Sequence, residues 1–277
     1  MPPGSSDAPS IITLTTDFGL ADAYVAQMKG VILSISPDAR IVDITHEIRP
    51  QQIQQAAFLT QTAWPAFPQG TIHMAIVDPG VGTDRRALLL QTDQGWYLGP
   101  DNGVLSAALA DEARPATMSV IPVRDPLRAF ELSNKAYMRQ PTSATFHGRD
   151  VFAPAAAHLS AGLNLAEFGG ALTELTALPP FRAACGEDGT MTGQVVHVDR
   201  YGNVITDIRS DDLPGGSFSL EVAGRSIPGP YRTFADLEGI GAIVGSSQYL
   251  GIAAPGGNAA EMLEIDIGTV VWLRPNG

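Results

Sequence analysis

From Ile11 to Asp78 the chain alternates short β-branched runs with stretches of helical period, and this alternation restricts the possible folds more than any other feature. Ile11–Thr15 (IITLT), Ile41–Thr45 (IVDIT) and Thr71–Val77 (TIHMAIV) have the length and composition of strands. Between them, Tyr24–Ser34 places apolar residues at Val25, Met28, Ile32 and Leu33, a helical spacing, and Ile53–Ala63 reads as a second helix. Strands alternating with helices predict βαβ units, hence an N-terminal α/β domain with a mostly parallel central sheet. Ala87–Thr92 and Trp96–Pro100 extend the set of strands, Val104–Leu109 and the Ala-rich Val151–Leu159 read as helices, and Pro122 puts Ser119–Val123 at a sheet edge.

The pattern changes near Leu178-Pro179-Pro180. Beyond it the helical period is gone, and Gln194–Val198, Val204–Ile208, Ser217–Val222, Ala242–Val244 and Val270–Leu273 are short strand candidates separated by Gly, Pro, Asn and Asp. That spacing predicts a small C-terminal β-barrel domain. The expected organisation is a disordered tail over 1–10, the α/β domain over 11–178, a linker over 179–188 and the barrel over 189–277.

Seventeen basic against 29 acidic side chains give a net charge of −12, which argues against a nucleic-acid partner. From Gly186 onward the balance is 12 acidic to 5 basic, so the barrel is not a nucleic-acid-binding one. Cys185 is the sole cysteine, which excludes an internal disulfide and any zinc site built from several thiolates. Met1–Ser10 carries neither a basic n-region nor an apolar h-region, and no run of about 18 apolar residues occurs. A cytoplasmic protein off the membrane is expected.

The chemistry concentrates at strand ends. Val77-Asp78-Pro79-Gly80-Val81-Gly82-Thr83-Asp84-Arg85-Arg86 leaves Asp78 at the carboxyl end of its strand, where ligands of open α/β sheets bind. Gly80 and Gly82 allow positive φ or close approach, and two arginines stand within eight residues of the carboxylate. Asp17 and Asp22 follow the first strand. Three roles are open to Asp17: holding ribose hydroxyls, ligating a metal, or capping a helix, the last suiting Asp22 better. His147, at the start of a helix, is expected to be neutral and able to accept a proton. The turn Arg200–Asn203 and the loop Gly245–Tyr249 place aromatic rings beside hydrogen-bonding groups, as a wall for a planar base does.

Together, TTDFG at Thr15–Gly19, VDPGVGTDRR at Val77–Arg86, PDNG at Pro100–Gly103, FHGRD at Phe146–Asp150 and YGNV at Tyr201–Val204 resemble one family, the S-adenosylmethionine hydroxide adenosyltransferases, relatives of the fluorinating and chlorinating enzymes. The resemblance implies an α/β domain joined to a β-barrel, a homotrimer whose sites lie between subunits, and conversion of S-adenosylmethionine and water to adenosine and L-methionine without metal or other cofactor. Carried over by motif, Asp78, Arg85 and His147 hold and activate the water, and Asp17 grips the ribose diol. Asp22, Asp78, Tyr201, Asn203, Phe234, Ser246, Tyr249, Ala254 and Pro255 complete the substrate-binding set. A charged Asp78 repels a halide, which points to a hydrolase. The rival readings are a calcium-dependent nucleoside hydrolase and a non-catalytic adenosine or S-adenosylmethionine sensor.

Overall fold

The computed structural model describes residues 11–215 and 218–275. The expected tail over 1–10 and the Ser217 start of one expected strand lie outside them. The chain divides into two compact units between Pro180 and Phe181.

The first unit contains β1 (Ile11–Thr16), α1 (Tyr24–Ile35), β2 (Arg40–Thr45), α2 (Ile53–Ala63), β3 (Thr71–Ile76), β4 (Ala87–Gln91), β5 (Gly95–Pro100), β6 (Ser119–Pro122), β7 (Arg128–Glu131), α3 (Ala153–Ser160), β8 (Ala171–Leu172) and β9 (Glu174–Ala177). The central sheet has the order β2-β1-β3-β5-β4-β7-β8. β2, β1, β3 and β5 are mutually parallel, and β4, β7 and β8 extend them antiparallel. Alternation along each strand feeds two cores. Ile12, Leu14, Ile72, Met74 and Ile76 pack with residues of α1 and α3, whereas Ala75, Val77 and Tyr97 face Ala56 of α2 and the turn at Val104-Leu105.

Two local expectations change, and the edge position expected for Ser119–Val123 holds in a ladder of its own. Val104–Ala108 is a 3-10 turn and not an α-helix, closed by Leu109 N donating to Ser106 O at 3.1 Å. Ser119–Pro122 pairs only with β9, in a separate two-stranded ladder with Pro122 at its end. The helix expected from Val151 begins earlier, as a π-helical turn over Gly148–Phe152 that continues into α3. Pro154 explains the change of pitch: it has no N–H for the Asp150 carbonyl, and Arg139 N donates to that carbonyl instead, at 2.9 Å.

The second unit contains β10 (Ala184–Cys185), β11 (Met191–Val198), β12 (Val204–Arg209), β13 (Phe218–Val222), β14 (Arg225–Ile227), β15 (Gly241–Val244), β16 (Tyr249–Ala253), α4 (Ala259–Leu263) and β17 (Val270–Pro275). All its ladders are antiparallel, in the order β14-β13-β17-β11-β12-β16-β15, with β10 also on β11. The chain leaving β14 brings the two ends together. Ala242 N of β15 donates to Pro228 O at 2.7 Å, and Tyr231 N donates to Ala242 O at 2.8 Å. The result is a nearly closed barrel around Val195, Val204, Leu220, Leu250 and Leu273. Ala184–Cys185, within the stretch expected to be linker, is thus a strand of the barrel.

His73 supplies a stability prediction. It lies on β3 in a three-ring cluster with Trp64 and Tyr97, with centroids at 5.1 and 5.3 Å, and its Nδ1 is 2.8 Å from Thr13 Oγ1. Burial pulls its pKa down to about 4 from 6.5. The native state therefore stays unprotonated where the unfolded chain takes up a proton. This stabilisation is complete above pH 6.5 and is lost as pH falls toward 4, by about 3 kcal/mol. Urea unfolding at several pH values is expected to show that loss in the parent and a smaller one in His73→Phe. Parallel pH profiles for the two proteins would refute it.

Candidate active site

In parallel β1 and β3, Thr16 lies opposite Ile76, so Asp17 and the Val77-Asp78 step leave the same edge of the sheet together. Two turns follow Asp78. Val81 N donates to Asp78 O at 3.2 Å and Thr83 N to Gly80 O at 3.1 Å. Gly82 occupies the third position of the second turn at φ +79°, the left-handed conformation a type II turn needs there. A Cβ on Gly82 would also overlap the carbonyl oxygen of Ala144. This close approach docks the loop that carries His147 onto the motif that carries Asp78. Gly80 differs: its φ is not positive, and its hydrogen only makes room for the Arg85 side chain, 3.2 Å from an added Cβ.

The turns send Arg85 back to Asp78. Arg85 Nε lies 2.9 Å from Asp78 Oδ1 and 3.1 Å from Oδ2, and Arg85 Nη2 also donates to Oδ2. Both side chains are largely buried, 11% exposed for Arg85 and 6% for Asp78. The same Nη2 lies 2.8 Å from His147 Nδ1, and the guanidinium rests over the Phe152 ring at 5.6 Å. Three groups far apart in the chain therefore form one hydrogen-bonded series. A guanidinium only donates, so His147 Nδ1 is the acceptor and the proton of the neutral ring is on Nε2. His147 does stand immediately before a helical turn. Burial, then the Arg85 cation, lowers its pKa, against the opposing charges of Asp78 and Asp150. The neutral state is as expected, but its role is not. With Nδ1 engaged, this imidazole offers an N–H donor at Nε2 and no free acceptor.

Asp150 supports this loop from beneath, a function the sequence reading missed. It is fully buried, accepts from Ser143 N at 2.9 Å, and is bound by Arg149 Nε at 2.7 Å and Nη2 at 2.8 Å. Burial pushes its pKa up, but the Arg149 and Ser143 hydrogen bonds outweigh it and hold the carboxyl below its usual range. Asn102 does similar work for Asp78, its Nδ2 donating to Val77 O at 2.9 Å while its Oδ1 receives Val104 N at 3.1 Å. Both residues lie inside quoted motifs, yet their spacing reveals nothing about the partners. An aromatic group of Phe18, Tyr24 and Phe146, with centroids 5.2 to 6.0 Å apart, packs next to His147 in the chain and was equally unforeseen.

Asp17 is half-buried, and its Oδ2 accepts from Gln51 N at 2.8 Å. Burial raises its pKa, opposed by that hydrogen bond, and the nearby Asp78 charge raises it further. It caps no helix. Neither does Asp22: α1 is entered through Ala23 with no side-chain cap, and Asp22 is exposed. Among the described residues no three His, Cys, Asp or Glu side chains are grouped as a metal ion would need, so the metal-ligand role open to Asp17 lacks companions.

A family model for the N-terminal domain of SAM hydroxide adenosyltransferases matches residues 12–169, and one for the C-terminal domain matches residues 193–272. The chain belongs to the SAM hydroxide adenosyltransferase family. It is 41% identical to an (R)-S-adenosyl-L-methionine hydrolase of Salinispora arenicola, over 93% of this chain and 95% of that one. It is 40% identical to the protein of that name from Thermus thermophilus, over 93% and 97%. A fluorinase of Actinoplanes is more distant, at 27%. The crystal structure of an uncharacterised conserved protein from Thermotoga maritima superposes with a TM-score of 0.82 at 31% identity, over 95% of this chain and 99% of that one.

The remaining expected residues belong to the barrel unit. Tyr201 is 78% exposed and Phe234 54% exposed, surfaces available to a ligand. Asn203 is held by Asp199, which accepts from Tyr201 N at 2.8 Å, Asn203 N at 2.9 Å and Asn203 Nδ2 at 2.8 Å. Asp199 is a second organiser that the sequence reading missed, although an Asp two residues before a turn backbone N–H is a known turn signal. Ser246 is exposed in the turn between β15 and β16. Tyr249 departs from expectation: it is 5% exposed at the start of β16, its hydroxyl donates to Phe181 O at 3.4 Å, and Arg209 lies over its ring. Its ring is part of the barrel and not a wall for a base. Ala254, Pro255 and Gly256 form a turn closed by Gly257 N donating to Ala254 O at 3.1 Å, with Gly256 at φ +68°; Ala254 is buried and Pro255 exposed.

Among the described residues no helix is long and apolar enough to cross a membrane.

Proposed function

We propose that this chain hydrolyses S-adenosyl-L-methionine to adenosine and L-methionine by attack of water on ribose C5′, with Asp78, Arg85 and His147 as its catalytic group. The observation that carries the reading is the Asp78–Arg85–His147 hydrogen-bonded series, set at the strand edge of a chain whose relatives bear the hydrolase name. The sulfonium leaves as a neutral thioether, so the leaving group needs neither an acid nor a metal. The difficulty lies in the nucleophile. Water must be lined up opposite the C–S bond and lose a proton as the C5′–O bond forms and the C5′–S bond breaks.

Asp78 takes that proton, while the Nε2–H of His147 and the Arg85 guanidinium hold the oxygen. Orientation supplies roughly 7 kcal/mol or more, and general-base assistance about 3 to 5 kcal/mol. Asp17 accepts the ribose hydroxyls. Asp22 borders that end of the site, while Tyr201, Asn203, Phe234, Ser246, Ala254 and Pro255 contact the base and the amino acid portion. The working form is a cytoplasmic homotrimer that completes each site with a neighbouring subunit, and its partner is the small molecule and not nucleic acid.

Incubation with S-adenosyl-L-methionine is expected to yield adenosine and methionine in equal amounts, at an unchanged rate after chelation of divalent ions. Absence of turnover in a single-turnover assay would leave only a binding protein. Loss of activity on chelation would favour a metal-dependent hydrolase. Asp17→Asn is expected to weaken adenosine binding by about 10- to 100-fold in calorimetric titration, because it removes a charged acceptor for two hydroxyls. Unchanged affinity would remove Asp17 from the ribose site.

A further inference from the structure

The loop joining β2 to α2 holds Asp17 from one side, and its anchor is a histidine that the proposed reaction does not use. His46 is 3% exposed. Its Nδ1 lies 2.9 Å from Thr16 Oγ1, the hydroxyl immediately before Asp17, and that oxygen in turn receives Phe18 N at 3.3 Å. The backbone of the same residue closes the opposite side of the aspartate's turn, with Gly19 N donating to His46 O at 2.8 Å. Four residues beyond Glu47, Gln51 N donates to the Asp17 carboxylate itself at 2.8 Å. Gln51 adopts φ +67°, a conformation that costs a non-glycine residue energy and is kept where its surroundings demand it.

On the far side of the ring, His46 Nε2 lies 3.0 Å from Asp43 Oδ1, within ion-pair distance, and Asp43 Oδ2 is paired with Lys29. Asp43 thus draws the ring proton toward Nε2 and leaves Nδ1 to accept from Thr16. The donors then run in one direction, from Phe18 N–H to the Thr16 hydroxyl to His46. A side chain that only filled space would not need a polar partner on each nitrogen.

We propose that His46 is a positioning residue for nucleoside binding: through Thr16 and Gly19 it fixes the turn that presents Asp17. This inference rests on the reading of Asp17 as the ribose acceptor. It predicts a coupling between two residues that share no direct contact among the hydrogen bonds described.

The test is calorimetric titration of the full chain with adenosine, which needs no turnover, combined with steady-state kinetics. His46→Leu and the near-isosteric Thr16→Val are each expected to weaken adenosine binding by about tenfold, the effect of one misplaced hydrogen-bonding group, and to raise KM more than they lower kcat. His46→Asn, whose amide oxygen can still accept from Thr16, is expected to recover part of the lost affinity. In an Asp17→Ala background, His46→Leu is expected to cause no further loss.

An equal loss in both backgrounds, or unchanged affinity in Thr16→Val and His46→Leu, would overturn the proposal. Thr16→Val keeps the shape of the side chain and so carries the test if His46→Leu does not fold. If the parent itself binds no adenosine, the functional reading fails and this link falls with it. Binding by the parent with additive losses would refute the link alone.

Discussion

Asp78→Asn is expected to lower the rate of S-adenosylmethionine conversion by about 10²- to 10⁴-fold, the range for removing a positioned general base. The substitution preserves shape and removes two things at once. The amide has no basicity to take a proton from water, and its NH₂ cannot accept from Arg85, which now reaches both carboxylate oxygens. Arg85 would then turn, and with it the hydrogen bond to His147 Nδ1 that sets the imidazole's tautomer. The damage therefore spreads along the series. Because both ion-pair partners are largely buried, loss of one is also expected to cost about 3 kcal/mol of stability. The rate must accordingly be measured in a single turnover, at a temperature where circular dichroism shows the variant folded. A rate within threefold of the parent would remove Asp78 from the chemistry.

The second large effect comes from a residue without a side chain. Gly82→Ala meets two obstacles: the left-handed backbone, which costs an alanine about 1 kcal/mol, and overlap of the new Cβ with the Ala144 carbonyl oxygen. Backbone cannot yield as a flexible side chain does, so the Ala144–His147 loop must move. A loss of about 2 to 4 kcal/mol is expected, read as a lower urea midpoint, together with a fall in activity as His147 leaves Arg85.

Gly30→Ala provides the contrast. Gly30 lies inside α1 with no atom within 4 Å of an added Cβ, and the substitution is expected to stabilise by about 0.5 to 1 kcal/mol. If Gly82→Ala matched Gly30→Ala in both stability and rate, the docking of the two loops would not be what positions His147.

The sequence determined much of this protein. The periodicity of Ile53–Ala63 gives both ends of α2, the β-branched runs give β1 to β3, and Asp78 lies just beyond a strand end as its motif requires. These features are encoded within one or two turns of chain, where spacing and turn chemistry act directly. β16 was different. Tyr249–Ala253 is not among the strand candidates, Tyr249 being assigned to the loop before it, yet the segment is a strand whose Gly251 lets the Val204 carbonyl come within 2.7 Å of where a Cβ would be.

β7 is four residues long and gains its place by pairing with β4, some 40 positions earlier in the chain, and with β8, some 40 positions later. His147 shows the same division. Its position before a helical turn was legible, but the proton on Nε2 was settled by Arg85, 62 residues away in sequence. Local pattern decides which segments become strands and helices and which residues stand at their ends. Only the tertiary structure decides which of those ends meet, and so which atom of an imidazole remains to face a ligand, because hydrogen-bond partners distant in the chain leave no mark on local spacing.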